Sequence, residues 1–224
     1  MSRAKPKALL AWSSGKDSAW TLHRLRAENE FEIAGALTTV TETVGRVSMH
    51  GVREELLHAQ LAAARLPATI VRIPFPCPNG IYEARMAAAM NEARAAGITH
   101  VVFGDLFLED IRAWREAQLA KAGMTAVFPL WRLPTDKLAR EMIEGGLKAR
   151  LVSVDLKKLA ADFAGREFDA ALLAALPPGI DPCGENGEFH TFAYAGPMFD
   201  REIALRTGET VEREGFAYMD ILPA

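Results

Sequence analysis

The stretch "ALLAWSSGKDSAW", residues 8–20, decides how the chain is read. An apolar run over residues 7–12 has the length and composition of a buried strand. The segment 17–28 that follows the small polar loop carries apolar residues at helical spacing. A strand that runs through a loop into a helix presents unpaired, partly positive amides at the helix start, and such amides hold anions. Small residues let the backbone approach a ligand, and Ser13, Ser14 and Ser18 add hydroxyl groups. The loop contains Gly-Lys, yet it is not the ordinary phosphate loop. Leu10 stands where that motif has its first Gly, and Asp17 follows Lys16 where Ser or Thr should. Gly15 is alone in the loop, so the dinucleotide fingerprint is absent as well. The plain alternative is a helix start capped by Ser or Asp.

Working outward, apolar runs of strand length alternate with helical patterns. Strands are expected at 7–12, 31–40, 68–75, 98–105, 124–130 and 147–155. Helices are expected at 17–28, 52–66, 81–97, 109–123 and 135–146, with Gly97 and Gly123 closing two of them. Near-continuous apolar strands between amphipathic helices indicate an α/β fold, a doubly wound parallel sheet covered on both faces. Ligands bind such sheets at the carboxyl ends of the strands, near a switch in strand order. After residue 156 the pattern changes to a short helix (168–176), the turn-rich "PPGIDPCGENGEFHTF", and strands near 190–195, 203–212 and 216–222. We divide the chain into an α/β domain that carries the loop, 1–155, and a smaller appended α+β part, 156–224, that carries "GENGEFHT".

The 224 residues include 26 Lys and Arg against 29 Asp and Glu, a formal charge of −3, which argues against a large nucleic-acid footprint. The two cysteines, Cys77 and Cys183, are far apart, so neither a disulfide scaffold nor a structural zinc site is expected. No apolar run approaches ~18 residues, so no membrane partner is expected and the cytoplasm is the expected location. A homodimer is compatible with the sequence.

"SSGKDS" resembles the Ser-Gly-Gly-x-Asp-Ser loop of the N-type ATP pyrophosphatases, the PP-loop group of the adenine nucleotide alpha hydrolase-like, HUP-type superfamily. Within it, "GDLFLEDIRAWREAQLAKAGMTAVFPLW" (104–131) and "GIDPCGENGEFHT" (179–191) are similar to segments of the diphthine–ammonia ligase family. With the helix that starts between His50 and Gln60, the similarity spans nearly the whole chain. The resemblance implies ATP cleavage between the α and β phosphates, adenylation of a carboxylate, and displacement of AMP by ammonia. It implies Ser13, Ser14, Gly15, Lys16, Asp17 and Ser18 around the phosphates, with Leu37, Thr38 and Gly104 beside the adenosine. Asp17 and Asp105 are the candidate ligands for Mg²⁺. Lys16, Asp17, Asp105, Glu185, Glu188 and His190 are the candidate catalytic residues. Arg112 and Arg115 could neutralise phosphate or form a solvated face.

Three positions depart from the family pattern. Ser14 replaces the first Gly of the loop; Asn186 and His190 replace a Gly and a Glu of the distal motif, in the segment expected to face the acceptor. The implied partners are ATP, a carboxylate-bearing acceptor and ammonia. The rival readings are a PP-loop enzyme that modifies RNA, which the acidic balance disfavours, and a nucleotide sensor without turnover.

Overall fold

The computed structural model describes residues 4–224, so the first three residues of the basic N-terminal stretch lie outside it. Strands β1 (Lys7–Ala11), β2 (Glu32–Thr41), β3 (Arg46–Val47), β4 (Ala68–Ile73), β5 (Ile98–Val102) and β6 (Thr125–Val127) form one sheet. Five of them pair in parallel in the order β4-β2-β1-β5-β6. The chain winds outward from β1 to β4 and then crosses to β5 and β6, so strand order reverses between β1 and β5. That reversal opens a crevice at the carboxyl ends of both strands. β3 was not foreseen: it pairs antiparallel with Val40 and Thr41, beyond Leu37 where β1 stops.

Alternation along β1 sends Ala8 and Leu10 into one core and Leu9 into another. Helices α1 (Lys16–Glu28) and α2 (Glu54–Ala63) cover the first face through Leu22, Leu25, Leu57 and Leu61. Helices α3 (Asn79–Ala95) and α4 (Glu109–Lys121) cover the second through Ala89, Met90, Ala93 and Leu119. Both faces are therefore buried, as the apolar strands require. Gly97 and Gly123 take left-handed φ values of 79° and 66° just past α3 and α4, a conformation that other residues adopt at a cost.

Helix α5 (Thr135–Glu144) leads into β7 (Lys148–Asp155), which corrects the sequence reading. The expected last strand of the parallel series lies instead inside a second, antiparallel sheet of order β8-β7-β10-β9. Its partners are β8 (Phe189–Ala195), β9 (Leu205–Arg213) and β10 (Phe216–Pro223), with α6 (Ala170–Ala175) between β7 and β8. An apolar strand reports that it is buried, not which sheet buries it. The two sheets share one core, since Trp20, Leu138, Leu151, Phe189, Phe192 and Ile221 belong to a single buried cluster. Among the described residues no helix is long and apolar enough to cross a membrane.

Candidate nucleotide site

The loop between β1 and α1 is built by partners from three other segments. Gly15 is the residue before the first helical turn, with extended backbone (φ −83°, ψ 172°). Ser14 has a φ of 70° and is fully buried, so the first-Gly position of the family pattern is one where the backbone is left-handed. Its carbonyl accepts from Ala193 N at 2.9 Å and from Gln60 Nε2 at 3.0 Å. Gln60, wholly buried on α2, also accepts from Trp12 Nε1 at 2.7 Å and donates to the Ala193 carbonyl. The first helical amide, Lys16 N, donates to Thr191 Oγ1 on β8 at 3.0 Å. Ser18 Oγ donates to the Gly15 carbonyl at 3.0 Å and lies 3.3 Å from Ser13 Oγ.

The distal turn closes over this loop. Lys16 Nζ is buried, bonded to Asp17 Oδ2 at 2.8 Å and to the Cys183 carbonyl, with the rings of Phe168 and Phe189 each 5.5 Å away. Burial works against this ammonium, but the neighbouring Asp17, Cys183 and Glu185 hold its pKa above the usual lysine value. Burial pushes the Asp17 carboxyl up against the pull of Lys16, and Asp17 Oδ1 is buried with no hydrogen-bond partner among the described residues. Glu185 Oε1 accepts from Leu106 N at 2.7 Å, which fastens the turn to the segment after β5. Burial raises the Glu185 carboxyl to about 7, helped by Asp17 and Asp105 nearby. Cys183 Sγ points to the Thr135 carbonyl at 3.4 Å, and burial pushes this thiol well up, away from thiolate chemistry.

A cleft of about 550 Å³ lies between these parts. Ser13, Lys16, Asp17, Ser18, Leu37, Thr38, Gly104, Asp105, Glu185 and His190 all line it, so loops far apart in the sequence converge on one space. Ser14 and Gly15, though in the same loop, do not line it. Glu188 is also off the lining: only 2% exposed, it accepts from Asp181 N at 3.3 Å and Asn186 Nδ2 at 3.1 Å, and so braces the turn. Asp105 is engaged by Arg115, whose Nε lies 3.2 and 3.1 Å from its two oxygens and whose guanidinium stacks on Phe103. Arg112 pairs with Glu116 and lies over Phe128 and Trp131 instead.

Residues 134–222 match the family described as the diphthamide synthase C-terminal domain. The diphthine–ammonia ligase of Schizosaccharomyces pombe is 30% identical over 96 residues, 41% of this chain and 16% of that protein. The Homo sapiens diphthine–ammonia ligase is 28% identical over 97 residues, and that of Danio rerio 33% over 98. Over about two fifths of its length the chain is similar to the diphthine–ammonia ligases. The match spans 36% of the human relative and 38% of the zebrafish one, in each case 41% of this chain.

The matched C-terminal segment contains both distal departures from the diphthine–ammonia ligase pattern, and the structure separates them. Asn186 is exposed on the outer side of the turn, where its carbonyl accepts from Lys158 Nζ at 2.6 Å. It does not line the cleft, contrary to expectation; His190 does. The His190 ring stacks on His50, with centroids 4.7 Å apart. His50, passed over in the sequence as the neighbour of a helix start, lines the cleft, and its Nδ1 is 3.0 Å from the Thr191 carbonyl. Burial lowers the His50 pKa to about 3, with His190 and Lys16 adding repulsion, and lowers that of His190 to about 4. Gln60 was missed as well. It falls among Leu56, Leu57 and Leu61 on the apolar face of α2, and a polar residue at a core-facing position was the available signal.

Among the described residues no group of three His, Cys, Asp or Glu side chains converges to hold a metal. A Mg²⁺ bound mainly through substrate phosphates needs only one or two carboxylates. Asp17 fits that demand, because Oδ1 is an acceptor left over. Asp105 fits it poorly, because Arg115 occupies both of its oxygens.

Proposed function

We propose that the chain is an ATP-dependent ligase of the adenine nucleotide alpha hydrolase-like fold. It adenylates a carboxylate with release of pyrophosphate and then forms an amide with ammonia. The observation that carries this reading is the closure of the distal turn on the "SSGKDS" loop, through Lys16 to Cys183 and Thr191. The closure puts Glu185 and His190 beside an anion-binding helix start. The strand-order reversal between β1 and β5 supports the fold, and the names of the relatives support the reaction.

In this reading the α1 amides and the third ammonium proton of Lys16 meet the phosphates, while Leu37, Thr38 and Gly104 flank the adenosine. Asp17 would hold Mg²⁺, which would neutralise charge on the triphosphate. The fixed amides and ammonium stabilise charge as it builds on the leaving pyrophosphate, and they do so without reorganising. Glu185, poised near neutral pH and with no partner for Oε2 among the described residues, accepts the proton that ammonia sheds as it attacks. The test is incubation with ATP, Mg²⁺, ammonium and a panel of carboxylic acids, with nucleotides separated by ion-exchange chromatography. AMP and pyrophosphate in equal amounts are expected; ADP as the sole product would refute the reading.

A further inference from the structure

The mechanism above leaves His50 and His190 unused, although they occupy a defined place in the cleft. His50 comes from the loop between β3 and α2, and His190 is the second residue of β8. Their rings stack at 4.7 Å with a tilt of 36°. A Cβ built on Gly15 would lie 2.7 Å from His50 Cε1, so the imidazole is pressed directly against the phosphate-type loop. Thr191 joins the two features: its hydroxyl accepts from Lys16 N, and its carbonyl meets His50 Nδ1. A carbonyl can only accept, so Nδ1 carries the hydrogen and Nε2 of the neutral ring keeps a lone pair. Among the described residues His50 Nε2 and both nitrogens of His190 have no protein partner, and none is sealed from solvent.

With its Nδ1–H committed to Thr191, neutral His50 offers a lone pair where a polyphosphate needs a donor, and neutral His190 has a single N–H to give. We propose that the His50–His190 pair is the second wall of the phosphate site, taking up a proton when the triphosphate enters and giving it up when pyrophosphate leaves. The proposal rests on the nucleotide reading above and deepens it. Lys16 on α1 acts on both rings, and Asp17, Asp105, Arg115, Cys183 and Glu185 line the same cleft. Burial keeps both rings neutral in the cleft, and the Lys16 ammonium adds to it. One negative charge at about 4 Å in partly buried surroundings raises the proton affinity of an imidazole roughly a thousandfold, and a triphosphate brings several. The His50 imidazolium so formed donates from Nε2, where the neutral ring could not, and an imidazolium at His190 donates from both nitrogens instead of one. Glutamate at position 190 would repel the same ligand, so the family's substitution at this place changes the sign of the wall.

The test is ¹⁵N NMR of the imidazole rings in the full chain at neutral pH, with and without ATP and Mg²⁺. The chain has five histidines, and the variants His50→Gln and His190→Gln assign the two of interest. We expect neutral ring signals from both without nucleotide, and imidazolium signals from at least one with it. His190→Gln should weaken ATP binding about tenfold at pH 7, the effect of losing one charged hydrogen bond, and much less at pH 9. If backbone amides of residues 13–18 shift with ATP while both rings stay neutral, the proposal is wrong and the nucleotide reading stands. If neither amides nor rings respond to ATP, both fall.

Discussion

Replacing Gln60 with leucine tests whether the loop is held from outside. Leucine nearly matches glutamine in volume, so little cavity forms and the loss is polar. Trp12 Nε1, on a residue 2% exposed, loses its only acceptor, which costs about 1–3 kcal/mol. The Ser14 carbonyl keeps the amide of Ala193, and the Ala193 carbonyl loses a side-chain donor; together these add about 1 kcal/mol. The sum is roughly 2–4 kcal/mol. For a chain of this length that is a fall in Tm of roughly 5–15 °C. Thermal melts followed by near-ultraviolet circular dichroism, with both proteins in one buffer, give the number. Trp12→Phe supplies a second check, because it removes the stranded N–H. The double variant should lose about 1 kcal/mol less than the sum of the singles. A Gln60→Leu protein that melts within about 2 °C of the parent, with additive singles, would refute the claim that this amide ties α2, β8 and the loop together.

Ser14→Gly should raise Tm by about 2–4 °C in the same melts. It relieves a left-handed φ and removes a buried hydroxyl without a partner, which outweighs the added freedom of the unfolded chain. Glu185→Gln should change how stability depends on pH. The wild-type carboxyl is raised from 4.5 to about 7 in the folded state, so its contribution is full below pH 4.5 and is lost as pH rises through 7. In urea titrations the variant should therefore gain on the parent between pH 5 and 8, by roughly 2–3 kcal/mol at most; a pH-independent difference would contradict the burial of this group. Gly104→Ala places a Cβ 3.1 Å from the Asp17 backbone and from Thr21 Oγ1, too close for backbone that cannot yield. A loss of about 1–3 kcal/mol, read by urea denaturation, and weaker ATP binding, read by calorimetry, are the expected results.

The parts that were legible in the sequence are those whose information is local. The loop at residues 13–18 announces itself because strand, small residues, Lys, Asp and helix are contiguous. The β-α alternation gave the parallel sheet because each buried strand is a continuous apolar run. Position β7 failed for the same reason: its apolar run is as good a strand for one sheet as for the other, and the choice is made by pairing with β8 and β10. Within the distal motif the residue types were readable and their directions were not. Gly184 and Gly187 turn the chain with φ of 69° and 78°, so Glu185 enters the cleft while Asn186 and Glu188 leave it. His50 was beyond reach, since its contacts are Gly15 and Thr191, distant in sequence on either side.

The two sheets also bear on what the matched C-terminal segment is. In this chain residues 134–222 are not a module resting on a finished domain. The Ser14 carbonyl, the Lys16 amide and the Lys16 ammonium all find partners at residues 183–193. Below them Trp20 and Leu22 share a core with Leu138, Phe189 and Phe192, and Trp20 Nε1 donates to Glu141 at 3.1 Å. Without this segment the Trp20 side of the first helix would be uncovered, and Lys16 would lose the carbonyl and both ring walls that compensate for its burial. A buried ammonium left with one partner is costly, whereas one held by a carboxylate, a carbonyl and two aromatic faces is tolerated. The loop at the start of the first helix is thus completed by the C-terminal segment, and both its geometry and its charge depend on the two parts folding together.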